Sequence, residues 1–427
     1  MTVPDPHKDI VDQKFLYLVL ATALFTFLLI VIGIVLRVTN TASGCPNWPT
    51  CYGEWGAGVP TSAIIPYLHR VVAVISGVLL ALSTAWSIRR YRQHDLIRMP
   101  LVGALLVMVL QFTLGGVIVL QDFSRYLSVI HLGLALIAEA LVLVSFVSIF
   151  QSNERRTRLV YRSPFARLSI LTLGMTFAVL VSGAVVAASG AAAACSSWPF
   201  CNQTLIPTDA LGWVNLGHRL ISALAAVLIL ALVVKAWRTQ RSQTAVLVAT
   251  TMAGVLMVAQ VLMGAFENAR GYPEYLVGLH VATAVAVWGS LVVQVVLTGL
   301  AARSSADEQV ESQFVRNRTR IARDFLQLTK PIVVALLLVT TFAGMVVGAR
   351  SLPSLDLLFW TLLGGFMAAG GSGAINQYID RYDDLKMQRT SQRPLPAGRL
   401  TPAEGLAFGV GMALASFYLM VVFVNFL

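Results

Sequence analysis

Two cysteines and two histidines return along this chain at one interval. Cys45 and Cys51 recur 150 residues on as Cys195 and Cys201, and His69 and His131 recur 149 residues on as His218 and His280. Gln111 recurs with the same offset as Gln260. A period of this length marks a duplicated structural unit. Thiols form disulfides and imidazoles ligate metals, so a duplication that keeps two of each per copy constrains the fold to paired, redox-linked sites.

The solvent for that fold follows from composition. Of 427 residues, 57% are hydrophobic and 12% charged, and mean hydropathy is +0.76. A chain this apolar is expected to be a polytopic membrane protein. Its apolar runs are too long for barrel strands, so an all-α architecture follows. Spans are expected near 15–37, 63–88, 99–121, 126–150, 165–188, 213–236, 244–267 and 275–300, with three more near 331–349, 355–376 and 404–427. The polar start MTVPDPHKDIVDQK argues against a cleavable signal peptide. The net charge of +11 reads as topology signal, not as a nucleic-acid footprint. Arg89, Arg90, Arg92 and Arg98 follow the second span, Arg155, Arg156, Arg158 and Arg162 the fourth, and Arg238 and Arg241 the sixth. Loop 38–62 carries only Glu54 and loop 189–212 only Asp209. By the positive-inside rule the N-terminus is cytoplasmic and both cysteine loops face outward from a bacterial-type plasma membrane.

Four spans per copy bring both copies in from the same side, a parallel repeat. The expected architecture is two parallel-repeat four-helix bundles, 1–150 and 151–301, then a polar cytoplasmic linker, 302–323, then a different unit, 324–427, with three further spans.

His7 and His94 sit in polar segments and read as solvated. His69, His131, His218 and His280 lie about five residues inside the outer ends of even-numbered spans, roughly 8 Å deep at 1.5 Å per residue. One intramembrane histidine is adequately explained as a hydrogen-bonded packing residue. Four at one depth, paired within each copy, point to metal, because ionisable groups in a membrane are costly and neutral imidazole suits iron, copper or zinc. Two facing imidazoles with no further Cys, Asp or Glu beside them fit axial ligation of haem. Arg70 and Arg219 each follow a histidine; they suit haem propionates, or equally the anchoring of their helices.

The outer loops read GCPNWPTCYG and ACSSWPFCNQ, both C-x2-W-P-x-C. Intraloop disulfides Cys45–Cys51 and Cys195–Cys201 are the simplest pairing in an oxidising compartment. The second reads as a pin for its loop, and the first is open between a pin and a redox role. Two sulfurs without a histidine do not make a metal site. Trp48 and Trp198 read as interfacial anchors or lids, Gln111 and Gln260 as amides bridging helices, and Glu267 as the mark of a helix end.

Residues 15–300 resemble haem A synthase: eight spans, four histidines in spans two, four, six and eight, H-R dipeptides, and a cysteine pair in two outer loops. That resemblance implies oxidation of the C8 methyl of haem O to a formyl group by successive hydroxylations. It implies that the first bundle, with His69 and His131, takes haem O as substrate, and that the second, with His218 and His280, holds a cofactor haem b. It also implies an electron acceptor, which the chain does not identify. Many members carry E-x-x-H-R at the first histidine. Here the stretch is PYLHR, with Pro66 in the glutamate's place. Glu54, in the same outer loop, is the candidate catalytic substitute.

The last unit contains DFLQLTKPIVV and NQYIDRYDDLKMQRTSQRPLPAGRL. It resembles protohaem IX farnesyltransferase (haem O synthase), an intramembrane prenyltransferase. Asn376, Asp380 and Asp384 match its N-x3-D-x3-D motif. Such carboxylates chelate Mg²⁺, which holds a prenyl diphosphate, here farnesyl diphosphate. Lys386, Arg389 and Arg393 add cations for phosphate oxygens. Members of that family carry further spans and a second Asp-rich loop, so this unit is expected to be an incomplete transferase. A transferase that makes haem O would feed a synthase that consumes it.

The alternative is a dihaem b-type electron-transfer protein that oxidises quinol. It uses the same histidines but leaves the cysteine loops and the prenyltransferase motif without a role. A transporter built from parallel repeats explains the duplication but not the common depth of the histidines. A homo-oligomer is compatible with either haem reading. If Glu54 supplies the carboxylate displaced by Pro66, Glu54→Gln lowers conversion of haem O while haem b stays bound; unchanged turnover in a haem O oxidation assay would remove Glu54 from the reaction.

Overall fold

Residues 12–39, 41–53, 60–121, 124–151, 158–201, 206–312 and 318–425 are described by a computed structural model. Eleven helices among them are long and apolar enough to cross a membrane, and no strand occurs among the described residues. The protein is an all-α multi-pass membrane protein. His7 and Glu54 lie outside the described residues.

The first copy is α1 (Gln13–Val38), α2 (Ile64–Arg90), α3 (Asp95–Leu120) and α4 (Arg125–Phe150). The second is α5 (Pro164–Ser189), α6 (Ala210–Thr239), α7 (Thr244–Ala269) and α8 (Glu274–Ala301). Helix α3 begins at Asp95, four residues before the expected start at 99. An acidic residue in the first turn favours a helix N-terminus, and Asp95 also pairs with Arg98 at 2.9 Å. Pro100 stays close enough to that start for its missing N–H to cost little.

The chain forms two compact units. Unit 1 holds residues up to Tyr161 together with Ile170–Ala226 and Gly264–Ala302. Inside it α1 packs on α2 and α4, α2 on α3, and α3 on α4, which closes a ring of four antiparallel helices. Their core is built on Phe15, Val19, Leu80, Leu101, Met108 and Val142. Buried hydroxyls bond to carbonyls one turn back or to each other, as with Thr22 Oγ1 and Ser83 Oγ at 2.9 Å. That satisfies polar groups that lipid would leave unpaired. Helix α8 packs on α1 and α4, and the Trp288 indole N–H donates to the Leu136 carbonyl at 3.0 Å. Helices α5 and α8 meet through Phe177 and Trp288, whose ring centroids are 5.6 Å apart.

Unit 2 holds Arg162–Ser169, Val227–Met263 and Arg303–Leu427. The polar linker is helical in part, with α9 (Ser305–Ser312) and α10 (Arg318–Leu328). Its acidic residues find partners: Arg303 pairs with Glu311 at 2.7 Å, and Gln240 donates to the buried Glu308 at 3.2 Å. Then come α11 (Pro331–Ala349), α12 (Leu355–Ile379), the short α13 (Arg381–Asp384) and α14 (Pro402–Phe423). Thr401 and Glu404 cap α14 reciprocally, with Pro402 in its first turn, which explains a start two residues ahead of the expected 404. Helices α12 and α14 approach through small residues: a Cβ on Gly371 would lie 2.8 Å from the Gly409 carbonyl oxygen. Only glycine permits that approach.

Candidate functional site

The four intramembrane histidines lie within the first nine residues of α2, α4, α6 and α8. Each imidazole rests on a glycine of the preceding long helix. A Cβ built on Gly33 of α1 would lie 2.9 Å from His69 Cε1, and one on Gly115 of α3 would lie 3.7 Å from His131 Cε1. In the second copy, Gly183 of α5 and Gly264 of α7 would place a Cβ 3.1 Å and 3.2 Å from Cε1 of His218 and His280. These glycines obey the same offsets as the cysteines and histidines, 150 for Gly33 and Gly183 and 149 for Gly115 and Gly264. Sequence reasoning passed over them because glycine carries no side-chain chemistry, although the spacing was there to find.

The rings are half-buried. Nδ1 of His69 and of His131 is buried and meets no hydrogen-bonding side chain. In the second copy, Ser182 Oγ lies 2.9 Å from His218 Nδ1 and donates its own proton to the Val179 carbonyl at 2.9 Å. Glu267 Oε1 lies 3.6 Å from His280 Nδ1. Gln111 donates to the His131 carbonyl at 2.8 Å, bridging α3 and α4 as expected.

The cysteine loops sit against these helices. Cys45 is bonded to Cys51 and Cys195 to Cys201. Trp48 lies on Gly116, the neighbour of the glycine beneath His131; a Cβ there would meet the indole at 3.2 Å. Arg70 donates to the carbonyls of Asn47 at 2.6 Å, Thr50 at 2.7 Å, Cys45 at 3.0 Å and Pro49 at 3.3 Å. Arg219 repeats the arrangement on Ser197 at 2.7 Å, Pro199 at 3.1 Å and Phe200 at 3.4 Å. The arginine beside each histidine therefore clamps the loop of its own copy. Asn215 occupies the position equivalent to Pro66, 149 residues on. It accepts from Arg219 at 2.8 Å and donates to the Ala191 carbonyl at 2.8 Å. Proline can make neither contact with its side chain.

Two further groups escaped sequence reading. Arg37, at the end of α1, is close enough for its charge to act on His131 and on Arg125 at the start of α4. Glu139 is buried in mid-α4, 3% exposed, with Oε2 unbonded. A carboxylate inside an apolar helix was the available signal.

In the C-terminal unit Asn376, Asp380 and Asp384 follow one another at the end of α12 and in α13. Arg393 forks onto both oxygens of the buried Asp384 at 2.9 Å and 2.8 Å. Lys386 pairs instead with Asp383 at 2.8 Å and holds that exposed carboxyl below its usual range. Arg389 is exposed. Arg399, unremarked in the sequence, pairs with the buried Asp324 at 2.8 Å and draws α10 to the loop before α14.

The COX15-CtaA family model, described as cytochrome oxidase assembly protein, matches residues 56–292, more than half of the chain. The chain belongs to the COX15-CtaA family. The UbiA prenyltransferase family matches residues 337–427, so a haem A synthase domain is fused to a UbiA domain. A protoheme IX farnesyltransferase of Roseiflexus castenholzii is 33% identical over 292 residues, covering 63% of this chain and 54% of that protein. Proteins of the same name from Chloroflexus aurantiacus and from Thermus thermophilus are each 28% identical, over 415 and 417 residues. They cover 93% and 92% of this chain and 66% and 67% of their own length. Those two alignments run through both family regions, so the order of domains is shared. The chain spans about half to two thirds of the length of these relatives.

Replacing Arg70 by Ala frees four loop carbonyls at once. Hydrogen exchange across Cys45–Cys51 should accelerate about tenfold, as expected for the loss of about 1.4 kcal/mol of charge-assisted bonding, while exchange across Cys195–Cys201 stays unchanged. Equal exchange in variant and wild type would mean that Arg70 does not hold the loop.

Proposed function

We propose that the COX15-CtaA domain oxidises the C8 methyl of haem O to a formyl group, and that the UbiA domain belongs to the farnesyl transfer that makes haem O. The observation that carries this reading is the four imidazoles, each seated on a glycine at duplicated registers. Those residues fit haem. A glycine against each ring keeps side chains off that side of the imidazole, and Nδ1 is buried in His69 and His131 and meets Ser182 in His218. In this reading His218 and His280 hold haem b, and His69 and His131 hold haem O as substrate. Bound there, haem iron supplies the one-electron redox chemistry.

The chain's own residues orient and shield. The helices fix the imidazoles, and the disulfide-closed loops, clamped by Arg70 and Arg219, lie over the outer ends. Arg37 and Arg125 place positive charge at the same end of the first copy and, with Arg70 and Arg219, suit propionates. Glu54 remains the proposed carboxylate for the first site. Electrons pass to an external acceptor. In the proposed orientation the N-terminus is cytoplasmic and the cysteine loops lie outside a bacterial-type plasma membrane, where disulfides persist.

For the UbiA domain, farnesyl diphosphate held through Mg²⁺ is proposed at Asn376, Asp380 and Asp384. Among the described residues no three His, Cys, Asp or Glu side chains converge on one point. Mg²⁺ needs only one or two carboxylates when phosphate and water complete its shell. Asn376 and Asp380 offer side-chain oxygens without a protein hydrogen bond among the described residues, and Arg393, which forks onto Asp384, is the cation proposed to meet a diphosphate.

Pyridine haemochrome spectra with extraction of haem from the purified protein test this reading. Haem b together with haem O or A is expected. Haem b alone would favour the dihaem electron-transfer protein, and no haem would overturn both. His218→Ala or His280→Ala should lose haem b, whereas His69→Ala or His131→Ala should keep haem b and lose conversion.

A further inference from the structure

The two copies agree in their histidines and glycines but differ in what stands behind each imidazole. Behind His218 stands Ser182; the same position in the first copy, 150 residues earlier, is Ile32. Beside His280 stands Glu267; its counterpart, 149 residues earlier, is Ile118. Asn268, next to Glu267, ties that helix end to its loop by donating to the Cys195 carbonyl at 2.7 Å, and its counterpart is Val119. The first copy thus has apolar residues at each place where the second has a polar partner for a ring or for its frame.

The hydroxyl of Ser182 has the Val179 carbonyl at 2.9 Å as an acceptor. With its proton there, its oxygen accepts from Nδ1–H of His218, and Nε2 keeps its lone pair. The Glu267 carboxyl, 3.6 Å from Nδ1 of His280, is the polar side chain on the same edge of that ring. Acceptors of this kind fix ring orientation and raise the basicity of the ligating nitrogen. Ile32 and Ile118 offer no such side-chain acceptor.

We propose that Ser182 and Glu267 are positioning residues that make the second histidine pair retain its haem, and that Ile32 and Ile118 make the first pair exchangeable. The copies would then be specialised by what lies behind identical ligands: a permanent cofactor site, and a site from which an oxidised porphyrin can leave. This inference rests on the reading of the four histidines as haem ligands. It adds a physical reason for which copy holds which haem.

The test follows haem loss from the purified, haem-loaded protein to excess apomyoglobin, with the redox potential of each haem measured in parallel. Wild type should lose haem in two phases, the slow one from His218 and His280. Ser182→Ala and Glu267→Ile should speed the slow phase on the order of 10–100-fold, as loss of an outer-shell partner does, and leave the fast phase alone. Ile32→Ser should slow the fast phase, a gain that damage to the fold cannot produce. Glu267→Gln, which keeps shape and removes the carboxyl, should raise the potential of the slowly lost haem only, a change that a purely structural role would not produce. A wild type without bis-imidazole haem would overturn the ligand reading itself. Two phases and two potentials that none of these substitutions moves would leave the ligands standing and overturn the positioning role.

Discussion

Everything at the candidate site depends on the contact between an imidazole and a bare backbone. A histidine inside a membrane helix is costly unless its ring is placed and used. Here the ring is placed by a glycine one helix earlier, and at Gly33, Gly183 and Gly264 even a methyl group would collide with it or crowd it. Because the contact lies between consecutive long helices in all four cases, duplication could copy it without repacking anything else. The loop between each first pair of helices carries the cysteines, and the arginine next to the histidine holds that loop by its carbonyls. Ring, glycine, loop and clamp therefore behave as one unit, present once per copy.

Against that shared frame the copies have diverged in polarity. The second carries Ser182, Asn215, Glu267 and Asn268 where the first carries Ile32, Pro66, Ile118 and Val119. The first carries Arg37 and Arg125 where the second has Ala187 and Glu274. Hydrogen-bonded anchors gather in one half and positive charge in the other. Such a division suits one tightly held group and one that arrives and leaves with its carboxylates leading.

Much of this was legible in the sequence. Long apolar runs located all eleven spans, because the lipid interior leaves a helix few alternatives. Offsets of 149 and 150 exposed the histidines and cysteines. What stayed hidden had no chemical label. The glycines look like any glycine in an apolar helix, and nothing in the sequence points Arg70 to the loop carbonyls that surround it. Start positions such as Asp95 and Pro402 depend on capping, which hydropathy does not register. Spacing marked Asp384, but not the fork of Arg393 onto both of its oxygens.

The central claim is that each histidine pair ligates haem through rings seated on glycine. Electron paramagnetic resonance of the oxidised, haem-loaded protein addresses it directly, because bis-imidazole low-spin haem has a distinct signal. Two such signals are predicted. Gly33→Leu should abolish one and Gly183→Leu the other, each sparing its counterpart. Signals untouched by either substitution, or a high-spin spectrum in the wild type, would contradict the account.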